Sequence, residues 1–228
     1  LTQYQNAEFL AVDTEFLRER TYYPQLCLIQ ISDGVDAVAI DPLAPNLDLN
    51  PLWDLMRNQN ITKVFHAGNQ DMEIFLHLMG SLPEPIYDTQ IAAMVCGLGD
   101  QGGYDKLVKA MLGHDIDKTS RFTDWSKRPL SNRQIVYALD DVIYLAELYP
   151  LMRSRLEAEN RSHWLDEEYA KSNDPATYVT APDAAWQKLK VRNMRPAPLL
   201  RLIHLAACLL YTSPSPRDAH ESRMPSSA

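Results

Sequence analysis

Long apolar runs are missing from this 228-residue sequence, cysteines are few, and basic residues are not in excess. No stretch is long and apolar enough to span a bilayer, so we expect no membrane partner. The three cysteines, at positions 27, 96 and 208, match neither a metal-binding spacing nor an even-numbered disulfide framework. Such cysteine usage fits a reducing compartment, and we expect a cytoplasmic protein.

The composition is that of an acidic globular protein. Hydrophobic residues make up 46% of the chain and charged residues 23%, which suits one main core and a small second unit. The formal net charge of -8 argues against a general nucleic-acid coat protein, because non-specific phosphate binding needs a basic surface. It does not exclude a site where concentrated acids are neutralised by divalent cations.

The final stretch, residues 208–228, changes character abruptly in the middle of a helical pattern. Its sequence, CLLYTSPSPRDAHESRMPSSA, resembles the translation of a transposon-type adapter used in short-read sequencing. We favour this interpretation over a natural Ser/Pro-rich tail. We therefore expect residues 208–228 to be an artefactual, disordered tail and leave them out of the fold prediction.

Segments of β-type composition come first, and helical periodicity follows. Three closely spaced segments predict a strand meander, and a fourth segment predicts a further strand. Residues 51–58 and 69–79 carry apolar positions at helical spacing, and the chain is predicted to be mostly helical from residue 88 onward. The strand segments are FLAVDTEF (9–16), LCLIQIS (26–32), AVAID (37–41) and KVFHA (63–67).

The start of one long helix is well defined by the sequence. Ser131, followed three residues later by Gln134, forms a capping-box signature. Periodicity lapses over residues 171–183, which predicts a linker. The segments 184–191 and 199–207 are typical of the first two helices of another small helical unit.

Acidic residues recur at positions that a folded chain could bring together. Asp13 and Glu15 lie two apart where the apolar run of the first strand stops, so they share one face. Asp71 falls in the first turn of the helix after KVFHA. Tyr137 and Asp141 are four apart and stack on one face of the capped helix, whereas Asp140 is turned away by about 100°.

This pattern resembles the DEDD superfamily of 3′-5′ exonucleases in its tyrosine variant. The sequence around these residues is still more similar to that of the ribonuclease D family. Six motifs occur in the expected order over roughly residues 9–207. They are DTEF, TYYPQLCLIQ (21–30), FHAGNQDMEIF (65–75), DTQIA (88–92), TDWSKRPL (123–130) and YALDDVIYL (137–145).

The resemblance implies an α/β fold of the ribonuclease H-like type, with a mixed five-stranded sheet flanked by helices. We expect a 3′-5′ exonuclease domain over residues 1–170 and a linker over 171–183. Residues 184–207 would be the truncated start of the small all-helical domain shared by helicases and ribonuclease D.

The resemblance also implies two divalent metal ions, Mg²⁺ or Mn²⁺, held by Asp13, Glu15, Asp71 and Asp141. Four carboxylates carry a formal charge of about -4, which two divalent cations balance, and hard oxygen ligands suit these ions. Asp13 would bridge both ions, Glu15 and Asp141 would complete the ion that activates water, and Asp71 would serve the second. Tyr137 would orient the attacking water, since its ordinary pKa near 10 makes it a poor base.

Further substrate-binding residues are expected from the resemblance, each with a structural alternative. Asp71 could also be a favourable charge at a helix N-terminus. Asp140 is an alternative to Asp141 as the metal ligand, and the spacing of four residues from Tyr137 favours Asp141. His66 is either structural or near the terminal nucleotide, and Phe16 is either core or a wedge against the last base. The expected substrate-binding set is Thr14, Phe16, His66, Lys118 and Arg128, the last two for phosphates unless they are solvated surface charges.

These expectations define a metal-dependent 3′-5′ exoribonuclease that releases nucleoside 5′-monophosphates, with tRNA 3′ processing as the expected role. Its partner would be RNA with a free single-stranded 3′ end, bound by a monomer. Two rivals stay open: a DNA-directed 3′-5′ exonuclease with the same acids, and a catalytically inactive nucleic-acid-binding module.

Overall fold

The computed structural model describes residues 1–18, 21, 23–98, 103–179 and 195–212. Across these residues we find no helix that combines the length and the apolar character needed to cross a membrane. The predicted α/β fold is confirmed: one mixed five-stranded sheet is flanked by helices.

The sheet has the order β3-β2-β1-β4-β5. The first three strands form the predicted antiparallel meander, and β4 and β5 continue the sheet in parallel with β1. The fifth strand was not recognised from residue patterns, because its three residues are too few to show alternation. The strands are β1 Phe9–Leu17, β2 Gln25–Ser32, β3 Ala37–Ile40, β4 Thr62–Phe65 and β5 Ile86–Asp88.

Seven α-helices are described. The predicted capping box opens α5, where the Ser131 side chain accepts from the Gln134 backbone N–H and Gln134 reaches back to the Ser131 N–H. The helices are α1 Asn50–Arg57, α2 Asn69–Met79, α3 Thr89–Val95, α4 Tyr104–Leu112, α5 Asn132–Ala158, α6 Leu165–Ser172 and α7 Pro196–Thr212.

The alternation of β1 divides the core into two layers. Leu10 and Val12 belong to the cluster that includes Phe75 of α2. Ala11, between them, belongs to the opposite cluster with Val142 of α5. Odd-numbered residues of β1 therefore face α5, and even-numbered ones face α1 and α2.

Packing continues into the segment predicted as a linker. Within residues 171–183, Tyr178 packs against the core, and its hydroxyl donates to the Ser172 carbonyl at 2.9 Å. Residues 180–194, which include the predicted helix 184–191, lie outside the described residues. The predicted disordered tail is wrong at its start, because α7 runs through position 208 to Thr212. The helix continues because Cys-Leu-Leu-Tyr-Thr contains no proline or glycine to stop it.

Candidate active site

Strand β1 carries Asp13 and Glu15 on the face that α5 covers. The parallel pairing of β1 with β4 covers only Phe9–Ala11, so both acids lie beyond the end of β4. The strand was predicted over residues 9–16, and the structure extends it by one residue to Leu17. The strand runs to Leu17 because β2 continues to pair with it, with a register shift between Glu15 and Phe16. The site thus forms where β1 has lost one neighbour.

Helix α5 brings a third acid to this place. Asp13, Glu15 and Asp141 each place a carboxylate oxygen within 4.8 Å of the other two. Asp140 is not part of this group, as the helical spacing from Tyr137 predicted. We call Asp13, Glu15 and Asp141 the carboxylate cluster. Within the described ranges it is the one group of three or more acidic, His or Cys side chains that meets this closely.

The carboxylate cluster is electrostatically unfavourable without a cation. Burial, with the charge of Asp141 added, raises the pKa of Asp13 to about 8. Burial and the charges of Asp13, Asp141 and Asp71 raise the pKa of Glu15 to about 10. Burial raises the pKa of Asp141 to about 7. Hard oxygen donors that repel one another fit a divalent ion such as Mg²⁺ or Mn²⁺.

Asp71 lies beside the carboxylate cluster but is not a member of it. It is buried in the first turn of α2, and its Oδ1 accepts a hydrogen bond from the Thr14 hydroxyl. Burial and the charge of Asp13 raise its pKa well above the ordinary value. The side chain of Thr14, which was expected to bind substrate, is buried on the α2 face and positions Asp71.

Tyr137 contacts the carboxylate cluster through Asp141. A hydrogen bond from the Tyr137 hydroxyl lowers the pKa of Asp141, against the larger effect of burial. Burial, with the charges of Asp141, Glu15 and Asp13, raises the pKa of Tyr137 itself. The tyrosine is therefore a neutral phenol near pH 7, as its expected orienting role requires.

The turn between β4 and α2 is held by a residue that the sequence interpretation did not single out. The Asp88 carboxylate accepts from the backbone N–H groups of Ala67 at 3.0 Å and Gly68 at 2.9 Å. It also caps α3 by accepting from the Gln90 N–H at 2.8 Å. An aspartate directly before a helix is a capping signal, which could have identified it.

His66 at this turn has a defined protonation state. The Thr89 hydroxyl donates its proton to the Phe65 carbonyl at 3.0 Å, so it can only accept from His66 Nδ1, also at 3.0 Å. Burial lowers the pKa of His66, which keeps the ring neutral. Nε2 is thus left as an acceptor. The ring packs against Tyr104, with centroids 5.0 Å apart.

Two basic residues expected to bind phosphate are used by the protein itself. Lys118 pairs with Asp105, with Nζ and Oδ2 2.6 Å apart. All five guanidinium N–H groups of Arg128 donate to protein acceptors, two of them to Asp41 and the others to main-chain carbonyls. Arg128 therefore links the segment before α5 to β2 and to the residue after β3, and a phosphate contact at this residue stays a prediction.

Two further residues near the carboxylate cluster were missed. The Tyr104 hydroxyl, at the start of α4, donates to the main-chain carbonyl of Asp141 at 2.5 Å. The charge of Arg121 lowers the pKa of Glu15, Asp141 and Tyr137. Neither contact follows from local sequence periodicity. Phe16 is half-buried against the core, so its two interpretations stay open.

The family model described as 3′-5′ exonuclease matches residues 1–157. The chain belongs to this 3′-5′ exonuclease family. A curated member, "Ribonuclease D" of Sphingobium indicum, is 52% identical over 200 residues, covering 87% of this chain and 52% of the relative. The chain spans about half the length of the curated relatives it matches.

Solved structures share the fold. Escherichia coli RNase D, described as an exoribonuclease involved in structured RNA processing, is 37% identical with a TM-score of 0.81, covering 98% of this chain and 58% of its own. Brucella melitensis NrnC with bound Mg²⁺ is 29% identical with a TM-score of 0.67, covering 76% and 85%. The same protein bound to pGG is 28% identical with a TM-score of 0.70, covering 83% and 92%.

Proposed function

We propose that this chain is the catalytic part of a ribonuclease D-type 3′-5′ exoribonuclease. The convergence of Asp13 and Glu15 from β1 with Asp141 from α5 in one half-buried group supports this proposal most directly. Folding alone gives no reason to bring three like charges together and withdraw them partly from water. The similarity to curated ribonuclease D proteins supports the choice of reaction.

The substrate of this reaction would be RNA with a free single-stranded 3′ end, and precursors of tRNA are the proposed source. The phosphorus-oxygen bond to the penultimate 3′-oxygen breaks, water supplies the new oxygen, and a nucleoside 5′-monophosphate leaves. The shortened RNA keeps a 3′-hydroxyl and can enter the next cycle. We propose that a monomer performs this reaction in the cytoplasm.

The carboxylate cluster would hold divalent metal, and Asp71 would serve a second ion. Two Mg²⁺ or Mn²⁺ ions, when bound, supply an activated water and stabilise the leaving oxygen. The residues of the chain fix the ligand atoms before substrate arrives: Thr14 holds Asp71, and Tyr104 holds the main chain at Asp141. Preorganised ligands of this kind reduce the reorganisation needed during reaction.

Tyr137 would position the attacking water. Its raised pKa keeps the hydroxyl protonated, so it can hydrogen-bond to water but does not act as a general base near neutral pH. His66, neutral with a free Nε2, would accept a hydrogen bond from a hydroxyl of the terminal nucleotide.

A time course on 3′-labelled single-stranded RNA tests the reaction and its direction together. We expect labelled mononucleotide from the first time point with Mg²⁺ or Mn²⁺ and none with chelator. A matched DNA strand should be degraded more slowly. Preference for DNA would overturn the substrate, and internal cleavage products would overturn the exonuclease assignment.

Substitution of the adjacent acids Asp141 and Asp140 tests the site within the same assay. Asp141→Asn should lower kcat at least about 100-fold, as should Asp13→Asn, because each removes a proposed metal ligand. Asp140→Asn, one position away on the same helix, should change kcat less than about threefold. Equal losses in the two α5 variants would contradict the assignment of Asp141.

A further inference from the structure

An arginine and a phenylalanine are exposed next to each other on the segment before α5. The Phe122 ring is 89% exposed. The Arg121 guanidinium carbon lies 5.3 Å from the centroid of this ring. A large aromatic ring left in water, next to a cation, is a surface that could stack a planar group.

The segment that carries this pair is anchored on both sides. Ser120 is buried, and its carbonyl accepts from the Thr123 hydroxyl at 2.8 Å. Trp125 is also buried, and its ring lies 6.1 Å from that of Tyr137. Arg121 and Phe122, which lie between these anchors, are therefore held in a fixed position on a segment that packs against Tyr137.

Arg121 faces the carboxylate cluster without being paired to it. Its charge acts on Glu15, Asp141 and Tyr137, and Trp125, four positions further along the same segment, has its ring 6.1 Å from that of Tyr137. Among the described residues no carboxylate forms an ion pair with Arg121, whereas Lys118 and Arg128 are paired with Asp105 and Asp41. This guanidinium is available for another anion.

We propose that Arg121 and Phe122 bind the RNA strand upstream of the scissile bond, Arg121 through a backbone phosphate and Phe122 by stacking on a base. This inference rests on the proposed function. A guanidinium matches phosphate geometry, and an aromatic face stacks on any base without sequence preference. Bound metal would balance the charges of the acids themselves, so a phosphate further along the strand needs a cation of its own, and Arg121 can supply it.

The experiment compares a single-stranded RNA of about ten nucleotides with the p-nitrophenyl ester of thymidine 5′-monophosphate, which is too small to reach Arg121 and Phe122 from the carboxylate cluster. Phe122→Ala and Arg121→Ala should each raise KM for the RNA about fivefold or more, with kcat changed less than about twofold. Both should leave turnover of the ester unchanged. Lys171→Ala, which removes an exposed cation on α6, is the matched control and should change neither KM nor kcat for either substrate.

Equal effects on both substrates would overturn the proposal, since Arg121 would then act only on the charges of the carboxylate cluster. No effect on either substrate would overturn it as well. Binding of fluorescent RNA to the Asp13→Asn variant in Ca²⁺ provides a measurement that does not require turnover. Adding Arg121→Ala should reduce the slope of log K against log salt by about 0.7, whereas Phe122→Ala should weaken binding and keep the slope.

These two measurements separate the inference from the proposed function. If the unmodified chain binds RNA but releases no mononucleotide, the proposed exonuclease activity is wrong. The RNA-binding measurement then still tests the roles of Arg121 and Phe122. If mononucleotide is released and the Arg121→Ala and Phe122→Ala variants behave as the unmodified chain does, the proposed RNA contacts are wrong and the proposed function stands.

Discussion

Half-buried carboxylates that repel one another should make the metal-free protein less stable as the pH rises. Burial, with neighbouring charges, raises the pKa of Asp141 to about 7, of Asp13 to about 8 and of Glu15 to about 10. In the unfolded chain these groups titrate near pH 4. Between about pH 4 and pH 10 the folded state therefore binds more protons, and the free energy of unfolding falls as pH rises. We expect the Tm of chelator-treated protein to be several degrees lower near pH 8.5 than near pH 5.5.

One substitution and one added metal ion test whether the carboxylate cluster causes this pH dependence. Glu15→Gln should raise Tm near pH 8.5 more than near pH 5.5, because it removes one of the repelling charges. Mg²⁺ should also stabilise the protein more at the higher pH. Glu157→Gln, an exposed acid on α5, should not change the slope. A pH dependence that Glu15→Gln leaves intact would assign the effect to the net charge of the whole chain.

At the scale of residues, local spacing in the sequence predicted much of the site. Contacts between residues far apart in the sequence could not be predicted in this way. The period of two placed Asp13 and Glu15 on one face, and the helical period separated Asp141 from Asp140. The five acceptors of Arg128 come from residues up to 101 positions away, so no local pattern could reveal that this cation is fully used. The orientation of Arg121 toward the cluster is a long-range feature of the same kind.

At the scale of elements, Asp88 joins the β4–α2 turn to the start of α3. Asp88→Ala leaves the N–H groups of Ala67, Gly68 and Gln90 without an acceptor, which should lower the free energy of unfolding by about 3 kcal/mol. It should also lower kcat/KM about 10- to 100-fold, because the turn sets His66 and Asp71. Thermal unfolding and RNA hydrolysis measure the two effects.

A second aspartate provides the control for this turn. Asp174 caps a short turn by accepting from the Ala176 N–H at 2.9 Å in an exposed position. Asp174→Ala should lower stability by about 1 kcal/mol or less and leave kcat/KM unchanged. Asp88→Asn keeps an acceptor oxygen and should recover part of the activity. Wild-type activity in Asp88→Ala would mean that the turn is fixed by other contacts.

Elements of at least four residues with clear composition were predicted from the sequence, and the three-residue strand was not. The meander and α5 were confirmed because alternation and the capping box are local signals. Strand β5 has three residues, and its place at the sheet edge depends on pairing with β4. The last residue of β1, Leu17, lies one position beyond the predicted strand and pairs with Gln25 of β2. Pairing partners set these boundaries.

At the scale of the molecule, the sheet order explains how acids far apart in sequence meet. Asp13 and Asp141 are separated by 141 − 13 = 128 positions, yet both reach the end of β4. β1 lies at the centre of the sheet, and α5 crosses the face to which the odd residues of β1 point. A central strand that outruns one neighbour leaves space beside it, and in this chain that space holds the acids.

The distribution of buried contacts predicts where the independently stable unit ends. Tyr178 packs on the core, whereas Leu200 and Leu205 of α7 are 66% and 59% exposed. A chain ending at residue 179 should therefore keep its Tm within about 2 °C of the full chain and keep its activity on the small ester. A chain ending at residue 161 loses Leu165, which is buried, and should unfold about 6 °C or more lower. Calorimetry of the three chains measures both shifts. A large loss on removing residues 180–228 alone would show that this part stabilises the exonuclease unit.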